Sequence, residues 1–173
     1  MSSEGFYLHS LLRYYQRGVI PGRVSPLQWD IREVPETARR IFNRNDLITA
    51  FHLIRPSTSP PMIVFRVISG IFPEPWPIEI RKLEIITIGD VLHAIHSALM
   101  RPLRRDEWER LCDKQRSRIE AVFEERCDQA QNADECRSRG VLRVDCLLKH
   151  TLFGGLSISP EEDCTSILTL RRV

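Results

Sequence analysis

The segment Met62-Ile-Val-Phe-Arg-Val-Ile68 alternates so that Ile63, Phe65 and Val67 share one face while Val64 and Ile68 flank Arg66 on the other. That is the pattern of a central strand covered on both faces. Downstream, Phe72-Pro-Glu-Pro-Trp-Pro77 carries three prolines, which fix φ and bias the residues before them away from the helix. A rigid extended turn follows, with Trp76 at its tip. Ile78 and Ile80 then alternate with Glu79 and Arg81 as a second strand, and Ile85 to Ile88 leads to Gly89 and Asp90, where a helix starts. Val91, Leu92, Ile95, Ala98 and Leu99 form one stripe of that helix at helical spacing, and Pro102 stops it.

Working outward, Leu8 to Tyr15 reads as a short helical turn docking through some of Leu8, Leu11, Leu12 and Tyr15. Leu27-Gln-Trp-Asp-Ile-Arg32 alternates Leu27, Trp29 and Ile31 against Gln28, Asp30 and Arg32, a strand with one polar face. Asp46 to Ile54 is mixed, with a strand preferred for its second half. Residues 55–61, with Pro56, Pro60 and Pro61, form a surface loop too short to divide two domains. From Arg105 to Ala133 runs one long helix with a broken stripe of Trp108, Leu111, Cys112, Ile119, Val122 and Phe123 and a charge-mixed exposed face. Residues 131–140 are a polar, mobile exit. Thr151 to Leu156 precedes a final strand at Ser166 to Leu170. Strands, then helices, then strands again argue for an α+β fold, a mainly antiparallel sheet with helices packed on one face, in a single compact domain over 1–173.

The chain has 173 residues, 42% of them hydrophobic, and 25 basic against 23 acidic residues leave a net charge of +2. This balance excludes an acidic disordered tail and disfavours nucleic acid as a partner. No stretch approaches the ~18 apolar residues of a membrane span, and the start of the chain lacks a basic region followed by an apolar one. The expectation is a soluble protein of the cytoplasm or nucleus that engages no membrane. Five cysteines, Cys112, Cys127, Cys136, Cys146 and Cys164, form no C-x-x-C pair, so reduced thiols and no metal or cofactor are expected. Cys146, with His150 four residues on and Asp145 beside it, has on paper the parts of a nucleophilic centre. Packing is the simpler role, because cysteine is commonly buried and such triads are assembled across the fold rather than along the chain.

Four segments together resemble a fungal family known as domain of unknown function 6699. They are His9-Ser-Leu-Leu12, Trp29-Asp-Ile-Arg32, Ile86-Thr-Ile-Gly-Asp-Val-Leu-His-Ala-Ile95, and Gly140-Val-Leu-Arg-Val-Asp145 followed by Phe153-Gly-Gly-Leu156. The resemblance implies a single α+β domain and brings no activity with it. Two positions depart from the family pattern: Ser10 stands where a proline is usual, and Cys146 where an aromatic residue commonly follows Arg-Val-Asp. The second departure favours packing for Cys146.

Asp90 reads first as a helix cap. His93 and His96, three residues apart on the same helix, lack a further metal ligand in that element. Trp29-Asp30-Ile31-Arg32 and Arg143-Val144-Asp145 each place an acid and a base two residues apart on one strand face. They would lock register as forked pairs between strands, or line a polar-ligand pocket with Trp29 or Trp76 as its apolar wall. Trp76 with Phe72 either caps the sheet end or forms a partner or self-association surface, since a stiff turn loses little entropy on binding. No P-loop, dinucleotide fingerprint, H-E-x-x-H or G-x-S-x-G occurs. The leading expectation is a non-enzymatic protein-interaction domain. The alternative is a small-molecule enzyme or binder with a pocket near Trp29, Asp30, Arg32, Arg143 and Asp145.

Overall fold

A computed structural model describes residues 5–15, 25–41 and 46–173. The strands and helices, in chain order, are β1 (Tyr7–Leu8), β2 (Leu27–Gln28), β3 (Arg39–Arg40), α1 (Ala50–Leu53), β4 (Thr58–Ser59), β5 (Val64–Ile68), β6 (Ile78–Arg81), α2 (Ile88–Leu99), α3 (Arg105–Glu109), α4 (Asp113–Gln129), α5 (Ala133–Arg139), β7 (Leu152–Ile158) and β8 (Thr165–Arg171). Short 3-10 helices occupy Pro35–Thr37 and Arg143–Leu147. Pro21 and Gly22, a pair that punctuates the chain when read as sequence, lie outside the described residues.

Four strands form one sheet in the order β6-β5-β8-β7. β5–β6 and β7–β8 are antiparallel, while the central pair β5–β8 is parallel, with Arg66 opposite Thr165 and Ile68 opposite Ile167. Two small antiparallel ladders, β1–β4 and β2–β3, sit beside it. The fold is α+β. One sheet face buries Phe65, Val67, Ile78, Ile80, Leu168 and Leu170 against the apolar stripe of α2, where Val91, Leu92 and Ile95 are fully buried. The other face carries Val64, Arg66, Glu79 and Arg81 and stays open or half-open to solvent.

α2 begins where a capping box allows it. The Thr87 hydroxyl accepts from the Asp90 amide, and the Asp90 carboxylate accepts from the Thr87 amide at 2.8 Å and from Lys82 Nζ at 2.9 Å. Asp90 is therefore a cap, at the third helical position instead of the cap position itself.

The outer edge of β7 is covered by two segments from early in the chain. Tyr14 N donates to Leu156 O (2.8 Å) and Leu156 N to Leu12 O (2.7 Å). Lower down, Ile31 N donates to Thr151 O (2.9 Å) and Phe153 N to Trp29 O (2.8 Å). The approach is close because Gly155, at φ 115°, lies in an irregular stretch of β7 against the backbone of Arg13 and Tyr14.

Several expectations need correction. The strand expected over 27–32 ends at Gln28. Leu27, Trp29 and Ile31 are still buried, but residues 30–33 turn around the Asp30 carboxylate, which accepts from Arg32 N. Leu8 ends β1 and only residues 10–12 turn, although Leu8 and Leu12 are buried as expected. Residues 50–53 are a helical turn, not a strand. Its box joins Thr49 and His52 and leaves Phe51 and Ile54 exposed. β5 is covered on one face only, and Ile63 lies outside.

The long helix is broken at Leu111, which turns inward, while Arg116 donates to the carbonyls of Trp108 and Glu109 and closes the end of α3. The expected mobile segment 131–140 contains α5. Its Asn132 side chain accepts from Glu135 N, acids stand in its first turn and arginines in its last, and Gly140 at φ 71° ends it. Among the described residues no helix is long and apolar enough to cross a membrane.

Candidate functional site

Arg143 and Asp145 were expected on one face of a strand. They instead stand in the 3-10 helix, whose three residues per turn point positions i and i+2 in different directions. Each meets a separate partner.

Arg143 lies over the Trp76 ring, 4.8 Å from its centroid, and donates to Glu107 Oε1 at 2.9 Å. Trp76 Nε1 donates to the same oxygen at 2.9 Å, and Arg104 N donates to Glu107 Oε2 at 2.8 Å. The Glu107 side chain is only 3% exposed. Burial alone would raise its carboxyl, but the Arg104 amide, Arg143 and Trp76 outweigh that and hold it below the ordinary value. Phe72 packs against Trp76 at 5.5 Å, and both are buried, so the stiff proline turn caps the end of the sheet and leaves little of either ring to offer a partner.

Asp145, with 1% of its side chain exposed, takes a forked pair from Arg126, Nε to Oδ1 and Nη2 to Oδ2, both at 2.8 Å. Leu142 N donates to Oδ2, making Asp145 the cap of its own 3-10 helix. Arg126 also donates to Gly140 O and, through Nη1 at 2.9 Å, to Cys136 Sγ. Cys127 Sγ lies 3.0 Å from Cys136 Sγ. Arg126, Cys136 and Asp145 of this cluster line a cleft of about 710 Å³ between α4, α5 and the 3-10 helix, with Arg32 and Lys149 also on its walls.

The expected site residues are thus divided. Arg32 and Asp145 share the cleft. Asp30 pairs with Arg32 itself, through Nη2 at 2.6 Å, and not with an opposing strand. Trp29 is 2% exposed and borders a different cavity of about 540 Å³ with Phe153. Arg143 belongs to the Glu107 cluster. His93 faces Glu36 Oε1 and His96 the Ile31 carbonyl, so each ring has a protein partner. Among the described residues no group of three or more His, Cys, Asp or Glu gathers as a metal site. Burial, reinforced by Asp145 and Glu107, pushes the Cys146 thiol up to about 12, the wrong direction for a nucleophile.

Glu107, Arg126 and the Cys127–Cys136 pair are the site residues that sequence reading missed. Asn132-x-x-Glu135 is a local signal for the cap that turns α5 back onto α4. No local signal joins Glu107 to Trp76, which approach only in the folded chain.

The family model described as "Family of unknown function (DUF6699)" matches residues 27–164. The chain belongs to this family. The DUF6699 span runs from β2 to the turn before β8 and takes in both buried carboxylate clusters and all of the cleft lining but Val173. No curated protein and no solved structure matches the chain.

Proposed function

We propose that this DUF6699 chain is a non-enzymatic protein-interaction domain that binds an extended segment of its partner along β6. What supports the reading is the open edge of β6 among the described residues, flanked by exposed Ile63, Leu83 and Ile85. The loops carrying these side chains are tied together by Lys82 N to Ile63 O and Ile86 N to Met62 O. An added strand satisfies the edge's free backbone groups, and neighbouring apolar side chains supply selectivity. The buried acids favour the same reading, because Glu107 and Asp145 are committed to arginines, a tryptophan and backbone amides.

The test selects peptides from a displayed library against the full chain and compares their affinity for wild type, Leu83→Asp and Ile63→Asp. Tenfold or greater weakening with an unmoved thermal midpoint is expected. Unchanged affinity in both variants overturns the reading. Binding lost instead in Lys149→Glu favours the second reading, a polar small-molecule binder using the cleft that joins Arg32 to Asp145.

A further inference from the structure

Cys127 lies two residues before the end of α4 and Cys136 at the middle of α5, so the turn between the helices folds one sulfur back onto the other. Their separation of 3.0 Å is roughly 1 Å longer than a disulfide bond. All five cysteines are free thiols in this structure. The two sulfurs differ in surroundings. Cys127 is fully buried, and burial together with Cys136 pushes its thiol up to about 11. Cys136 lines the cleft, and its sulfur faces the Arg126 guanidinium at 2.9 Å, so the electron-rich atom nearer the opening faces a cation.

We propose that Cys127 and Cys136 are a redox-active dithiol, oxidised to an intramolecular disulfide by hydrogen peroxide that enters through the cleft. The Cys136 sulfur attacks one peroxide oxygen and the O–O bond breaks. The departing hydroxide takes up the thiol proton as water, leaving a sulfenic acid on Cys136. The Cys127 sulfur then attacks the Cys136 sulfur, the S–O bond breaks, and hydroxide leaves with the Cys127 proton as a second water. Two thiols lose two electrons and one peroxide becomes two waters. Cys136 reacts first because the cleft reaches it, and Cys127 resolves because it is already in contact.

Trypsin cuts after Arg126 and after Arg137, which leaves both cysteines on one peptide with no cleavage site between them. Reduced full-length protein is treated with one equivalent of hydrogen peroxide, remaining thiols are alkylated in denaturant, and the 127–137 peptide is weighed. It is expected to be two hydrogens lighter than the reduced peptide, to carry no alkyl group, and to accept two after reduction. In Cys127→Ser the reaction should stop at a sulfenic acid on Cys136 that dimedone traps. The oxidised wild-type protein should melt at or above the reduced protein. The proposal is overturned if the peptide takes up two alkyl groups throughout, if Cys112, Cys146 or Cys164 is oxidised first, or if the disulfide lowers the melting midpoint.

Discussion

Replacing Glu107 with glutamine removes a charge while keeping shape, and the surroundings of the carboxylate set the cost. Its two oxygens accept from Trp76 Nε1, Arg143 Nη2 and Arg104 N, all at 2.8–2.9 Å and with 3% of the side chain exposed. A glutamine keeps one acceptor oxygen but turns an NH2 group toward a donor, so at least one hydrogen bond is replaced by a clash of donors. Arg143, with 15% of its side chain exposed, also loses its counter-charge. Breaking one side of a buried pair costs about 3–5 kcal/mol, and that is the expected loss at neutral pH.

The pH dependence gives a sharper check. Glu107 is held below its ordinary value of 4.5 in the fold, so the unfolded chain binds the extra proton first as acid is added. The stabilisation is complete above that value and is lost as pH falls through the lowered folded pKa. Urea unfolding followed by tryptophan fluorescence should therefore show the gap between wild type and Glu107→Gln widest at pH 7 and narrowing as pH drops below 4.5. A gap under about 1 kcal/mol at pH 7, the size of an ordinary neutral hydrogen bond, would refute the reasoning. So would a gap that ignores pH.

Trp29→Ala should cost about 3–5 kcal/mol in chemical denaturation, because the ring is 2% exposed and packs on Phe153; an unmoved midpoint would contradict its place in the core. Arg126→Ala should be worse than Asp145→Ala, since it strands a carboxylate with 1% exposure, whereas Arg126 at 20% turns toward water; the former belongs at the upper end of ~3–5 kcal/mol, and the reverse order would refute this. Gly155→Ala should destabilise by more than the ~1–3 kcal/mol of backbone strain alone, because its Cβ would lie 2.6 Å from the Arg13 and Tyr14 backbone; a midpoint within error of wild type would show that the early segment is not held there.

Where periodicity spanned a whole element and one face met the core, the reading held. The α2 stripe, β6, and the burial of Leu27, Trp29 and Ile31 were all legible in the sequence. The same alternation overran at Trp29 to Arg32, because a turn built on the Asp30 carboxylate buries alternate residues just as a strand does. Residues 131–140 looked mobile by polarity, although Asn132 and Glu135 carry the cap of a helix that packs through few apolar contacts. At the site, Arg143 and Asp145 were recognisable as residues in need of partners. The partners themselves, Glu107 and Arg126, came from helices whose mixed charge gave no reason to single them out. Trp76 was legible as stiffly held, but whether a stiff aromatic faces in or out depends on Glu107, far along the chain.

The parallel pairing of β5 with β8 orders events during synthesis. β5 and β6 emerge early and form a local hairpin, but the inner edge of β5 has no strand beside it until β8, the last strand in chain order, has been made. The early segments that cover β7 wait over a longer stretch of chain still, Leu12 for Leu156 and Trp29 for Phe153. Pairings so distant in sequence must close a large loop before any contact rewards it, which places this sheet among the slower topologies to assemble. Meanwhile Phe65 and Val67, both fully buried at the end, border an unpaired edge on the nascent chain. A ribosome stalled before β8 would therefore display a sticky hairpin, making the growing polypeptide a natural client for chaperones that shield extended apolar segments.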